Sequence, residues 1–292
     1  MLSVIGEIVS PRHAVEGYTI SHRGQPVVVT RSGGIAYNVR VGDRAIGWAS
    51  DHTEPGVSIR NRDEGESAAL AVLSCVGNDA FVVTGEGKGS RGTVTGKHGG
   101  NQLLVDYTRE VMETLAIGDR IQVRAYGRGL RLLDAPEVKL HSVSVQLLKA
   151  LPLEIADAVV TVPVAGIVPP ELMGAGLGGS AERSDYDIQT ADREVLAEHG
   201  LANLRLGDIV AIRDHDDSFG HGYRRGAWTI GSIAHADSLM AGHGPGGPQS
   251  RPTFAGRWKR SIRRAAAGGL RCWPGWDRGG GGACRRRWSG GR

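Results

Sequence analysis

Short runs of Val and Ile, separated by glycine and other turn residues, dominate the hydrophobic pattern of the chain. Runs of this length and composition are typical of β-strands. We predict strands at residues 2–9, 26–31, 35–39, 44–48, 69–76, 80–84, 93–97, 120–126, 158–168 and 209–213. The pattern therefore indicates a mainly β protein.

Helical spacing of apolar residues is limited to a few short segments. Thr108, Ser144 and Thr190 are suitable N-cap residues ahead of three such segments. The third has Asp192 in its first turn and Gly200 where a left-handed residue commonly follows a helix. We expect an antiparallel barrel or sandwich architecture in two parts, with a few short helices.

The regular strand pattern loosens after residue 134. We place a domain boundary there, between an N-terminal β domain (residues 1–135) and a C-terminal β domain with short helices (residues 136–246). Residues 247–292 form a basic, Gly- and Arg-rich tail, and its residues 251–292 hold 12 of the 35 Lys and Arg residues but 1 of the 31 Asp and Glu residues. Because the tail has no hydrophobic periodicity, we predict that it is disordered.

Two explanations of this tail stay open. Its residue types have GC-rich codons, so a reading-frame slip near Gly246 would produce them; alternatively, the tail is a basic arm that binds nucleic acid by releasing counterions from phosphates. We favour the frame slip, and we expect neither nucleic acid nor a membrane as a partner. A small-molecule ligand is the expected partner, and the oligomeric state stays open.

The composition adds three expectations. The chain has 45 glycines and 5% aromatic residues, which favours many tight turns around an aliphatic core. Cys75 is the single cysteine outside the tail, so we expect a buried free thiol and no disulfide framework. No signal peptide is evident, and the uncharged run 158–170 is shorter than the ~20 residues that span a bilayer. We therefore expect a soluble cytoplasmic protein.

Histidines are most concentrated in the stretch 214–246, which contains four of the ten. Asp214-His215 follows one predicted strand, and Asp51-His52 follows another. If both strands point the same way, their polar ends meet at one rim of the fold. An imidazole and carboxylate cluster of this kind binds divalent metal ions or provides acid and base groups.

We therefore name candidate residues for a metal-assisted site. The candidate metal ligands are His52, His98, His215, His235 and Asp237, and the candidate catalytic groups are Glu54, Asp214 and His243. The expected cofactor is a divalent metal whose identity stays open. The simpler alternative is that these loops are structural and bond only to backbone amides.

Two family resemblances accompany these residues. The turn His98-Gly99-Gly100-Asn101 resembles the His-Gly-Gly-Asn turn of the acetamidase and formamidase family of metal-dependent amide hydrolases. Longer phrases, at residues 51–58, 96–100, 124–130, 185–190 and 241–246, resemble the domain-of-unknown-function family 4438. That second resemblance implies a mostly β, two-part fold and no particular activity, and it ends near Gly246.

The function that these features favour is a metal-assisted hydrolase of small polar substrates. One alternative is a non-enzymatic binding or structural β module. A second alternative is a nucleic-acid binder that acts through the basic tail.

Overall fold

A computed structural model describes residues 1–13, 16–30, 32–248 and 251–254 of the chain. The strands, in chain order, are β1 (Leu2–Ile8), β2 (Thr19–Ile20), β3 (Pro26–Val27), β4 (Ile35–Ala36), β5 (Gly56–Arg60), β6 (Asp79–Val82), β7 (Arg91–His98), β8 (Gln102–Asp106), β9 (Arg120–Ala125), β10 (Val138–His141), β11 (Glu154–Ala156), β12 (Val159–Thr161), β13 (Gly166–Val168), β14 (Asp185–Asp187), β15 (Ile209–Asp216), β16 (Gly222–Ser232), β17 (Gly246–Pro248) and β18 (Arg251–Phe254). The helices are α1 (Glu64–Leu73), α2 (Arg109–Met112), α3 (Val145–Ala150), α4 (Arg193–Glu198) and a 3-10 helix at Pro170–Leu172.

The N-terminal part is a closed antiparallel barrel. Its six strands follow the order β1-β9-β6-β7-β8-β5, and pairing between β1 and β5 closes the circle. Alternate side chains of these strands fill the interior with aliphatic residues, among them Ile59, Leu103 and Val123, each fully buried. Helix α1 packs Leu70 against β1 at Gly6, where an added Cβ would lie 2.7 Å from Leu70 Cδ2.

The C-terminal part is built on a five-stranded sheet with the order β10-β18-β16-β15-β13. All of its pairs are antiparallel except β13 with β15. Each face of this sheet carries its own apolar cluster, because successive side chains of β15 point to opposite faces: Val210 and Ile212 belong to one cluster and Ala211 to the other.

A separate two-stranded ladder of β14 and β17 lies between the two parts. Asp187 is opposite Gly246, and Tyr186 is opposite Gly247. Strand β17 contacts β7 of the barrel and β16 of the five-stranded sheet. The ladder therefore places its side chains at the junction of the two parts.

The predicted fold class is confirmed: the protein is mainly β, with a closed six-stranded antiparallel barrel and few short helices. The helices predicted after Thr108 and Ser144 are confirmed as α2 and α3. The third predicted helix is confirmed as α4, but its N-cap is Asp192, whose carboxylate accepts from Val195 N at 3.1 Å.

Two of the predicted strands are wrong. Most of residues 69–76 belongs to α1, and the helix begins because the Asp63 carboxylate accepts a hydrogen bond from Glu66 N at 2.8 Å. Residues 44–48 also form no strand, and Arg44 makes an isolated bridge to Arg205. The prediction of a buried thiol at Cys75 is confirmed, since this residue is 0% exposed.

The first residues of the predicted tail belong to the fold. Residues 246–248 form β17, and residues 251–254 form β18, which pairs with β10 and β16. The remainder of the tail, and with it the frame-slip and nucleic-acid hypotheses, lies outside the described residues. Within the described ranges, no helix is both long and apolar enough to cross a lipid bilayer.

Candidate metal centre

Four histidines and two aspartates converge at the junction between the barrel and the five-stranded sheet. They are His52, His98, Asp185, Asp187, His235 and His243. The ring centroids of neighbouring histidines lie 4.4–5.2 Å apart. Three overlapping groups of these residues each have their ligand atoms within 4.8 Å of one another. We call this set the histidine–aspartate cluster.

Asp187 is the residue that joins the cluster. Its Oδ2 lies 3.1 Å from His52 Nε2 and 3.0 Å from His243 Nδ1. Its Oδ1 lies 3.4 Å from His235 Nε2. Because its two oxygens face different histidines, this carboxylate can ligate one ion or bridge two.

Asp185 supplies the second carboxylate of the cluster. Its Oδ2 lies 2.7 Å from His235 Nε2, and its Oδ1 accepts a hydrogen bond from Gly99 N at 2.9 Å. Gly99 directly follows His98 in the turn between β7 and β8. The hydrogen bond therefore holds the His98 turn against β14.

The second ring nitrogen of three histidines is held by an outer partner. His52 Nδ1 lies 2.7 Å from Asp51 Oδ1, and His235 Nδ1 lies 3.1 Å from the carbonyl oxygen of Ala236. His98 Nδ1 hydrogen bonds to Glu54. Metal-bound histidines in proteins typically have such a partner, which sets the tautomer and the orientation of the ring.

These outer partners are themselves fixed. Asp51 accepts a hydrogen bond from Ser238 Oγ at 2.7 Å. Glu54 accepts from Gly33 N at 2.8 Å and from Ser58 Oγ. The orientation of each histidine ring therefore depends on a network that reaches beyond the cluster.

Local backbone geometry brings these side chains together. In β14, successive side chains alternate, so Asp185 and Asp187 share one face while Tyr186 points to the other. Gly246 lies opposite Asp187, and an added Cβ there would be 2.4 Å from His235 Nε2. Only glycine leaves room for the cluster at this position.

His52 adopts a left-handed φ of 52° and its backbone N–H donates to the carbonyl of Asp237.

One member of the cluster, His243, is more exposed to solvent than the others. His235 is fully buried, and the side chains of His52 and Asp187 are 9% and 6% exposed, whereas that of His243 is 34% exposed. The cluster is therefore open to solvent on the His243 side. An incoming small molecule would meet His243 first.

The electrostatics of the cluster favour positive charge. Burial opposes the charge, but hydrogen bonds to Asp187 and Asp51 raise the pKa of His52 to about 9. Burial would likewise raise the pKa of Asp187, yet hydrogen bonds with His235, His243 and His52 lower it well below its usual value. The carboxylates thus favour one positive charge at the histidines, which is either a proton or a bound cation, and a cation would have to displace the proton.

The donor set matches a particular class of ion. Imidazole nitrogens and carboxylate oxygens together suit borderline divalent cations such as Zn²⁺. A Ca²⁺ site would require oxygen ligands throughout. The cluster is therefore best suited to a transition-metal ion.

The structure brings together five of the residues that the sequence singled out. They are His52, His98, His235, His243 and, as the partner of His98, Glu54. Glu54, which was predicted as a catalytic group, contacts His98, Ser58 and Gly33, and in this arrangement it orients the His98 ring.

The other three predicted residues lie outside the cluster. The ring of His215 packs 4.8 Å from that of Tyr186, on the face of β14 that points away from the cluster. Asp214 has a φ of 56° at the β-bulge of β15 and accepts from Gly226 N at 2.7 Å. The predicted meeting of the two Asp-His strand ends does not occur.

Asp237 lies beside the cluster but has a structural role. Its carboxylate accepts from Gly47 N at 3.0 Å, from Arg193 Nη2 at 2.6 Å and from Thr190 Oγ1. These donors occupy its oxygens, so it is not free to ligate an ion. Its contribution is to anchor α4 and the backbone of His52.

The sequence reasoning missed Asp185 and Asp187 as site residues. Both lie in a phrase with acidic residues at every second position, Asp185-Tyr186-Asp187. In a strand, side chains two residues apart lie on the same face. This spacing could therefore have predicted that the two carboxylates belong to one site.

Comparisons with known proteins agree with this architecture. Residues 18–149 match the family model described as domain of unknown function DUF4438, N-terminal, and residues 150–249 match its C-terminal counterpart. A solved structure described as the crystal structure of TM1086 is 42% identical, covers 89% of this chain and 92% of its own, and superposes with a TM-score of 0.84. No curated protein matches the chain significantly. Since the two family models together span most of the chain, it belongs to the DUF4438 family.

Proposed function

We propose that the protein is a metal-dependent hydrolase of small polar substrates. The observation that supports this most directly is the Asp187 carboxylate, whose two oxygens face three different histidines. A purely structural cluster would not need histidine rings whose second nitrogens are each held by a carboxylate or carbonyl. That arrangement is the one that metal ligands require.

The residues divide into ligands and a base. His52, His98, His235 and Asp187 would hold the ion, and a bound divalent ion would supply Lewis-acid chemistry by polarising the substrate and a water molecule. His243 is the most exposed histidine of the cluster and lies at its opening. We assign it as the general base: its Nδ1 faces Asp187, which would leave its Nε2 to accept a proton from the attacking water.

Metal content tests the ligand assignment. We expect purified protein, reconstituted with Zn²⁺ or Mn²⁺ and dialysed, to retain metal by mass spectrometry, and Asp187→Asn to bind it at least tenfold more weakly. His215→Gln is the matched control, because His215 lies on the opposite face of β14. Wild-type affinity in Asp187→Asn, or equal losses in both variants, would refute the site.

Hydrolysis tests the proposed activity. Loaded protein is assayed against esters, amides and phosphate esters, with a chelator-treated sample beside it. His243→Gln should lower kcat by about a hundredfold or more, as expected for loss of a general base, while retaining its metal. Turnover that survives chelation, or that is unchanged in His243→Gln, would contradict this function.

A further inference from the structure

A second polar feature includes residues close in the chain to the histidine–aspartate cluster. It is a cavity of about 270 Å³ whose lining includes Arg12, Arg60, Arg62, Arg183, Asn101 and Glu64. An adjoining cavity of about 390 Å³ shares Arg12, Arg60 and Arg62 with it. We call the smaller one the arginine cavity.

The charge of the arginine cavity is strongly positive. The lining includes four arginines and one carboxylate, that of Glu64. Among the residues that the structure describes, none of the four arginines forms an ion pair with a carboxylate. Burial, together with the charge of Arg12, lowers the pKa of Arg60. The protein thus holds four like charges around one cavity with a single lining carboxylate, and three of the arginines, Arg12, Arg62 and Arg183, are exposed to solvent.

The arginine cavity is joined to the cluster through the turn between β7 and β8. His98 ends β7, and Asn101 lines the cavity three residues later. Arg183 Nε donates to the carbonyl of Gly100 at 3.1 Å, and Arg183 lies two residues before Asp185. The turn after β7 and the segment that leads into β14 therefore each include a cavity residue within three residues of a cluster residue.

The size and charge of the arginine cavity select its ligand. At about 270 Å³ it is smaller than typical pockets for whole drug-sized ligands, which begin at ~300 Å³. It suits one charged group of a larger molecule. A phosphate carries a charge of about −1.5 to −2 near pH 7, and its oxygens can accept bidentate hydrogen bonds from several guanidinium groups. A carboxylate has only two oxygens, which one guanidinium group can occupy.

We propose that the arginine cavity binds the phosphate group of a phosphorylated small molecule. This deepens the proposed function, on which it rests for the statement that such a molecule is the hydrolysed substrate. The phosphate would anchor the substrate in the cavity, and the bond to be hydrolysed would reach the histidine–aspartate cluster.

Calorimetry with inorganic phosphate tests the arginine cavity without depending on catalysis. We expect the metal-free full chain to bind phosphate, and Arg60→Gln and Arg62→Gln each to weaken that binding at least tenfold. Arg62 is exposed, so its replacement keeps the test valid if Arg60→Gln fails to fold. Arg109→Gln is the matched control, since Arg109 lies on α2, is 74% exposed and pairs with Glu113.

The outcomes separate this inference from the proposed function. Phosphate binding that is absent, unchanged in both cavity variants or equally weakened in Arg109→Gln would overturn the arginine cavity as an anion site, whatever the metal content. Acetate binding as tight as phosphate binding would overturn the choice of phosphate. Phosphate binding in Asp187→Asn at the wild-type affinity is expected, because the two sites use different residues.

With the loaded protein, the substrate role gives a kinetic signature. Arg62→Gln should raise KM for a phosphorylated substrate at least tenfold and leave kcat nearly unchanged. An unchanged KM in a variant that has lost phosphate binding would show that the anion site is not part of substrate recognition.

Discussion

At the scale of single residues, the cluster depends on partners that never touch an ion. Asp51 illustrates this: its Oδ1 lies 2.7 Å from His52 Nδ1 and also accepts from Ser238 Oγ. It thereby keeps His52 Nε2 directed at Asp187. A ring without that constraint could rotate or change its tautomer, and the ligand set would lose its geometry.

Asp51→Asn should therefore weaken metal binding tenfold to a hundredfold, the range typical for loss of an outer partner. Competition with a chromogenic chelator measures the change. Asp79→Asn is the control, because Asp79 pairs with Arg91, whose side chain is 66% exposed. An affinity in Asp51→Asn equal to that of the control would mean that the ring of His52 is oriented by other contacts.

At the scale of elements, the short ladder of β14 and β17 organises the site. Strand β14 presents Asp185 and Asp187 to the cluster and Tyr186 to the other side. Strand β17 can pair closely with it because Gly246 and Gly247 carry no side chain. At Gly247 an added Cβ would lie 1.8 Å from the carbonyl oxygen of Ser232.

Gly246→Ala should abolish metal binding, since its Cβ would lie 2.4 Å from His235 Nε2 and 2.5 Å from Asp187 Oδ1. We also expect overpacking to lower the free energy of unfolding by about 1–3 kcal/mol in urea titrations. Gly222→Ala in β16 serves as the comparison, because the nearest atom to its Cβ lies 3.9 Å away. Normal metal binding by Gly246→Ala would show that β17 does not limit the site.

Sequence patterns predicted the elements well where the signal was local. The predicted left-handed residue at Gly200 has a φ of 70°. The error at residues 69–76 arose because a short apolar run fits a strand or a helix equally well, and the deciding feature, the Asp63 cap, lies outside the run.

The candidate site was predictable only in part. Residue type alone made candidates of four histidines, because histidines near acidic residues and glycines are typical of functional loops. They are His52, His98, His235 and His243. Their assembly depends on long-range pairing, such as that of Asp187 with Gly246, which no local pattern encodes. The packing of His215 against Tyr186, on the other face of β14, was not predictable for the same reason, because tertiary structure sets it.

At the scale of the whole molecule, the cluster joins the two parts of the fold. His98 belongs to barrel strand β7, His235 follows β16 of the five-stranded sheet, and Asp187 lies on the ladder between them. An ion held by all three would cross-link the parts. Its binding energy would then stabilise the folded chain against unfolding.

A saturating transition-metal ion should therefore raise the melting temperature. At a free concentration of about 100 times Kd, linkage contributes ~2.7 kcal/mol, which corresponds to a rise of about 5–10 °C for a chain of this size. Differential scanning calorimetry before and after chelation measures the effect. Asp187→Asn should show almost no rise, and a rise equal to that of the wild type would place the stabilising ion elsewhere.

The position of β17 also sets an order of events during synthesis. The barrel strands occupy residues 2–125 and leave the ribosome first, whereas Gly246 follows more than a hundred residues later. Until it pairs with Asp187, the barrel displays His52 and His98 without the aspartates that complete their site. A nascent chain can thus fold its barrel early, whereas the complete histidine–aspartate cluster forms last, so the proposed metal binding would require the finished fold.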